Sequence, residues 1–410
     1  MRIVLAADFP VHRLPGFEDA PTGHHATWLP PLAGELARQT NFDIHWITCT
    51  KDVSSYQSID YLNQTFHLLP RRKLSIAILT RFRRERRLIA RLAANLKPDL
   101  FHGWGTEQGY ALAANDFGSR SLISLQGILT ACCEASPMPL LTRIQSLTEK
   151  AVLAKARHLT VESTWGEEKL RALAPHATID LLEYGADPAC FKIHRIPPPS
   201  SGAAPNTHES PGPAPFTRES RGAAPFTRES RGAAPFTRPT AVFLGSLTHL
   251  KGIDTLLEAF SDPRLSGVDL DIYGAANPKF TRKPRPSNIR FHGHRPRAEA
   301  LAALSRAWCL VHPTRADTSP NTVKEARVIG LPVVTTPEGG QTQYVTHDQS
   351  GFIHPAGDTE GLIQGILAVT KDRETSLQMG AIGQEECRTL LSPARTAKEL
   401  IAIYRKLRHP

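Results

Sequence analysis

Short apolar runs alternate along the chain with longer stretches in which apolar positions recur every three or four residues. The runs predict buried strands and the longer stretches amphipathic helices. In the first half, strands are expected at 3–6, 43–48, 100–102, 121–125, 158–161 and 179–182, with helices at 26–39, 78–96, 107–116, 140–154 and 166–173. In the second half, strands are expected at 241–244, 269–273, 289–291, 309–312 and 332–335. Helices are expected there at 254–260, 297–305, 321–329 and 360–370, with two more between 373 and 408. Strand–helix alternation of this kind predicts α/β architecture with parallel sheets covered on both faces.

The pattern breaks once. Pro197, Pro198 and Pro199 are followed by a ten-residue unit, APFTRESRGA, at 214 and again at 224, with a truncated copy from 234 to 238. One Phe per copy cannot offset the ordering entropy of so polar a segment, so a disordered linker is expected. The organisation predicted is an N-terminal domain over 1–194, a linker over 195–239 and a C-terminal domain over 240–392. A last helix, 393–410, is expected to pack back on the first domain. In open parallel sheets ligands sit beyond the carboxyl ends of the strands, which puts the expected site in a cleft between two Rossmann-like doubly wound domains.

Composition narrows the class. Hydrophobic residues make up 40% and charged residues 21% of 410, as in globular proteins. No apolar run approaches the length that spans a bilayer. The apolar start before Asp8 is too short for a secretory signal, and the six cysteines are scattered, without a C-x-x-C pair. A cytoplasmic protein with reduced thiols is the expectation. The net charge of +10 is concentrated: Arg71, Arg72, Lys73, Arg81, Arg83, Arg84, Arg86, Arg87 and Arg91 face one acid, Glu85, between 71 and 91. Two readings stay open for this stretch, a solvated charged face and a surface for anionic membrane that would hold the protein peripherally on the inner leaflet. Nucleic acid is not expected, because Phe82 is the only aromatic residue in the run and falls on its apolar face.

The chemistry concentrates in V-H-P-T-R-A-D-T-S-P-N-T-V-K-E-A, residues 311–326. A strand ends near His312 and a helix starts near Asn321. Thr318, Ser319, Asn321 and Thr322 have helix-start chemistry, and Pro320 is acceptable there. Such a helix start presents free N–H groups and partial positive charge, which suits phosphates. Asp317 before the turn and Glu325 one turn inside the helix add carboxylates able to accept hydrogen bonds from hydroxyls.

Asp317-x7-Glu325, Gly330-Leu331-Pro332-Val333-Val334, Gly339-Gly340 and Gly351-Phe352 together resemble the signature of the retaining glycosyltransferases of family four. Upstream, Gly245-Ser246-Leu247 through Lys251-Gly252 resembles that family's donor loop, with Ser246 where Arg is usual. The resemblance implies a GT-B fold and a nucleotide-sugar donor. It assigns Asp317 and the N–H groups of Thr318 to Asn321 to the sugar, and Glu325 to the ribose hydroxyls. Lys251 and the start at Asn321–Thr322 fall to the diphosphate, beside Gly245 and Ser246. No cofactor and no metal are implied, and the acceptor would be a glycan or a lipid-linked acceptor. Ser246 cannot replace a bidentate guanidinium, and Arg315 and His249 are the candidates to compensate. In the first half, Gly23 and His24 resemble the family's Gly-rich loop. Pro98 to Gly105, including His102, and Ser124-Leu125-Gln126-Gly127 resemble its acceptor and sugar stretches. Gln126 stands where His is usual, so it could orient a sugar but not titrate near pH 7. Asp317 for the usual Glu, and Gln343 for a later Glu, leave the sugar unspecified. A nucleotide-sugar epimerase of the same fold and a basic nucleic-acid-binding protein are the alternative readings.

Overall fold

The computed structural model describes residues 1–21, 26–195, 238–282 and 284–408. The predicted linker lies almost wholly outside them, as do Gly23 and His24.

The first sheet contains β1 (Arg2–Ala6), β2 (Asp43–Thr50), β3 (Gln57–Tyr61), β4 (Gln64–Pro70), β5 (Leu100–Trp104), β6 (Ser121–Leu125), β7 (His158–Val161) and β8 (Thr178–Leu181). Their order is β3-β4-β2-β1-β5-β6-β7-β8, parallel except for β3 against β4. The second sheet holds β9 (Thr240–Leu244), β10 (Asp269–Tyr273), β11 (Ile289–Gly293), β12 (Cys309–His312), β13 (Val333–Thr335) and β14 (Gly351–Ile353). It is parallel throughout, in the order β11-β10-β9-β12-β13-β14. Every residue of β5, β6 and β12 is buried, as expected for parallel strands covered on both faces. Helices cover both faces of each sheet, as the hydrophobic periodicity requires.

Several expectations change. The β3–β4 hairpin was not anticipated; Leu62 and Asn63, both at φ 53°, supply the left-handed turn that its short loop needs. The short helices Leu129–Ala135 and Pro188–Phe191, the strand β14 and a third helix after Arg373 were also not anticipated. The single helix expected over 78–96 is two, Leu74–Leu79 and Arg83–Leu96. Between them Arg81 and Phe82 take left-handed φ of 47° and 54°. Phe82 is buried in the corner this makes, against Gly109, where an added Cβ would come within 2.5 Å of Phe82 Cβ.

The helix Pro393–Arg408 returns to the first domain. Ala397, Leu400, Ile401, Ile403 and Tyr404 join the core that includes Leu29, Leu32 and Leu36. Chain continuity and packing part company earlier than the expected boundary at 194: Ala186 and Cys190 are already in the core of the second domain with Val242 and Leu310. Arg195 fastens this crossing, donating to Ser376 O at 2.6 Å and to Trp308 O at 3.2 Å.

Candidate active site

The loop after β9 runs Gly245–Gly252 into the helix Ile253–Ala259. Gly252 sits at φ +70°, and an added Cβ would lie 1.8 Å from Pro313 O. Only glycine lets this loop rest on the end of β12. The close approach brings Lys251 into an ion pair with Asp317, while His312 Nε2 lies 3.4 Å from the same Asp317 oxygen. Burial acts to raise the Asp317 carboxyl, but Lys251 and His312 outweigh it and hold it well below the usual carboxylate range. Burial lowers His312. The pair is therefore an ionised carboxylate and a cation, half-buried at the carboxyl end of the sheet.

From Asp317 the chain passes Thr318, Ser319 and Pro320 into the helix Asn321–Ile329. Gly339 and Gly340 seat this turn from below. Gly340 N donates to Asp317 O at 2.9 Å, and a Cβ on either glycine would lie 2.2 Å from a carbonyl oxygen of Asp317 or Thr318. The Gly-Gly pair is thus a close-approach requirement. No side chain caps the helix, so the N–H groups of Asn321 and Thr322 remain available to an anion. Glu325 is 2% exposed. One of its oxygens accepts from Arg297 at 2.7 Å, and Arg297 also pairs with Asp187 at 2.9 Å. The other oxygen, Oε2, is buried with no hydrogen-bond partner among the described residues. Burial pushes this carboxyl up while Arg297 opposes it. An unsatisfied buried acceptor carries a desolvation cost of about 1–3 kcal/mol, which a hydroxyl donor would relieve.

Lys251, Asp317, Thr318, the helix start and Glu325 are thus brought along one edge, with Gly245 and half-buried Asn321 and Thr322 beside them. Ser246 is exposed on the rim. The compensation considered for it does not hold in this arrangement. Arg315 is bidentate to Asp254 at 2.8 and 2.9 Å and donates to Thr255, and His249 Nδ1 bonds Ser136 Oγ at 3.0 Å. Ser319 points away from the edge, donating to Glu183 at 3.1 Å.

On the opposite wall, Gln126 is half-buried in the loop after β6. His102 is a correction: it is fully buried, its ring nitrogens bonded to Tyr404 OH at 2.8 Å and Ser124 Oγ at 2.7 Å. It fixes the C-terminal helix to the sheet and does not line the cleft. A residue the sequence reading passed over is Glu107, beyond the end of β5 and beside Gly127. Burial, then Glu149 and Asp8, raise its carboxyl to about 7. The signal available was only an acid next to a Gly-rich strand end. Further along, Asp8, Thr50, Lys51, Asp52 and Arg71 line a cavity of about 140 Å³ at the carboxyl ends of β1, β2 and β4.

The two walls are joined by a buried cluster that the sequence did not reveal. Lys324 Nζ meets Glu162 at 2.5 Å and Glu183 at 2.6 Å, and donates to Tyr184 O at 3.2 Å. Two acids share one cation, so burial and mutual repulsion raise Glu162 to about 8. Ser163 Oγ donates to Thr318 O at 2.6 Å, and Gln343 accepts from Thr164 N at 3.0 Å, so Gln343 serves the domain contact.

Residues 238–372 match the family model described as Glycosyl transferases group 1. No curated protein sequence matches the chain significantly. Among solved structures, the chain is similar to sucrose-phosphate synthase from Thermosynechococcus elongatus, with a TM-score of 0.72, 17% identity and 99% of each chain covered. It is also similar to Anabaena HepE in complex with UDP and glucose, with a TM-score of 0.61, 13% identity, and 99% and 100% covered. The catalytic domain of starch synthase IV from Arabidopsis thaliana, bound to ADP and acarbose, gives a TM-score of 0.65 at 12% identity, with 100% and 99% covered. The fold is GT-B.

Proposed function

We propose that this protein is a retaining glycosyltransferase that moves a sugar from a nucleoside-diphosphate sugar to a glycan or lipid-linked acceptor. The observation that carries the reading is the edge just described: an uncapped helix start beside Lys251–Asp317, with the unpartnered Glu325 oxygen one turn inside. A ribose hydroxyl would satisfy that oxygen, the sugar hydroxyls would meet Asp317, and the diphosphate would lie between Lys251 and the N–H groups of Asn321 and Thr322. Breaking the anomeric bond builds positive charge on the sugar and negative charge on the departing diphosphate. Fixed donors aimed at the latter lower the barrier, and the chain supplies that charge itself, without a metal. A departing phosphate oxygen then accepts the acceptor's proton as the new bond forms on the same face. Gln126 would orient the sugar, and the cavity at Asp8 and Arg71 lies on the acceptor side.

A thermal-shift panel of UDP-, GDP-, ADP- and TDP-sugars tests the reading, since a ligand of the folded state raises its melting temperature. One nucleotide class is expected to stabilise the protein, and Glu325→Ala is expected to erase that shift. Release of nucleoside diphosphate only when acceptor is present distinguishes transfer from epimerisation. Wild-type turnover by both Lys251→Ala and Glu325→Ala would overturn the site.

A further inference from the structure

The helices Leu74–Leu79 and Leu140–Leu153 pack against each other on the first domain, around Ala77, Ile78 and Phe82. Their outer faces are unlike the rest of the surface. Of the ten large apolar side chains exposed among the described residues, six are here: Leu74, Ile76, Leu79, Leu140, Leu141 and Leu147, with Leu140 at 70% and Leu79 at 63%. Arg72, Lys73, Arg81, Arg83 and Arg84 flank the first helix and are exposed; Arg143 and Lys150 alternate with the leucines of the second. The only acids in segments 71–96 and 140–153, Glu85 and Glu149, are both buried. Glu149 is spent on the N–H groups of Leu129 and Thr130, and Glu85 on that of Arg72.

We propose that this face docks on an anionic lipid surface, with the leucines entering the headgroup layer and the cations meeting lipid phosphates. Apolar side chains bordered by cations, with the two acids of these segments withdrawn, match the chemistry of that interface. The break at Arg81–Phe82 separates the helix carrying Leu74, Ile76 and Leu79 from the one that begins with exposed Arg83 and Arg84. Arg71, one residue before the patch, lines the cavity on the acceptor side. A bilayer held here brings a lipid-linked acceptor to the cleft, a consequence that rests on the transfer reading above.

The test is co-sedimentation of the full chain with phosphatidylglycerol-containing and with pure phosphatidylcholine vesicles at about 0.15 M salt. At least about tenfold tighter partitioning to the anionic vesicles is expected, and Arg83→Glu with Arg84→Glu, or Leu79→Ser with Leu147→Ser, should each remove most of it. Tryptophan placed by Leu79→Trp should gain fluorescence quenching by brominated lipid over wild type. Equal partitioning to both vesicles, no gain in quenching, or a dimer in sedimentation velocity that Leu79→Ser dissolves would overturn the proposal. Nucleotide-sugar thermal shifts on the same variants separate the two ideas. Vesicle binding without a shift leaves docking standing and sinks transfer; a shift without vesicle binding does the reverse.

Discussion

Glu107, Glu325 and Asp317 show how three carboxyls near one cleft acquire different chemistry from their surroundings. Asp317 faces two cations or hydrogen-bond donors and stays ionised, Glu325 has one guanidinium and one bare oxygen, and Glu107 has mainly burial and like charge. For Glu107 the sign is definite. Its folded value of about 7 lies above the ordinary 4.5, so its contribution to stability is fully present below pH 4.5 and is lost as pH rises through 7. Glu107→Gln is expected to flatten that part of the melting temperature against pH; parallel wild-type and variant curves from pH 5 to 8 would count against it. Lys251→Ala is expected to lower turnover by roughly 100- to 1,000-fold, the usual scale for one lost donor to a developing anion, with the fold unchanged by circular dichroism.

At the scale of elements, most boundaries followed from periodicity, and the exceptions share a cause. The helix around Phe82 kept good helical spacing, yet burial of Phe82 against Gly109 favoured two left-handed residues over a continuous helix. The helix Pro393–Arg408 shows the converse: its apolar stripe was legible, but its partner His102 lies 302 residues away in sequence. Tyr404→Phe is expected to cost about 1–3 kcal/mol by leaving buried His102 Nδ1 unpaired, measured by urea unfolding. An unchanged midpoint would show that the bond is dispensable.

Across the whole molecule, the two domains are held by charges that neither could bury alone. Lys324 is fully enclosed between Glu162 and Glu183 of the other domain. Removing one partner of a buried pair leaves an uncompensated charge, so Lys324→Met is expected to destabilise the protein by about 3–5 kcal/mol in urea unfolding. Replacing all three members by apolar residues is expected to cost much less. Such a cluster also fixes how the edge carrying Asp317 faces Gln126 and Glu107.

The sequence by itself determined the α/β alternation, the turn and helix start at 317–325, and the glycines whose close approaches the structure shows, because these depend on local periodicity and backbone sterics. It also isolated the cationic run at 71–91. The tertiary structure alone decided which of those groups are free. It engaged Arg315 and His249 elsewhere, withdrew His102 into the core, and left Glu325 Oε2 without a partner. It turned six leucine and isoleucine side chains outward among the arginines and joined Lys324 to two distant glutamates. Hydrogen-bond partners and burial depend on residues far apart in the chain, and no local pattern encodes them.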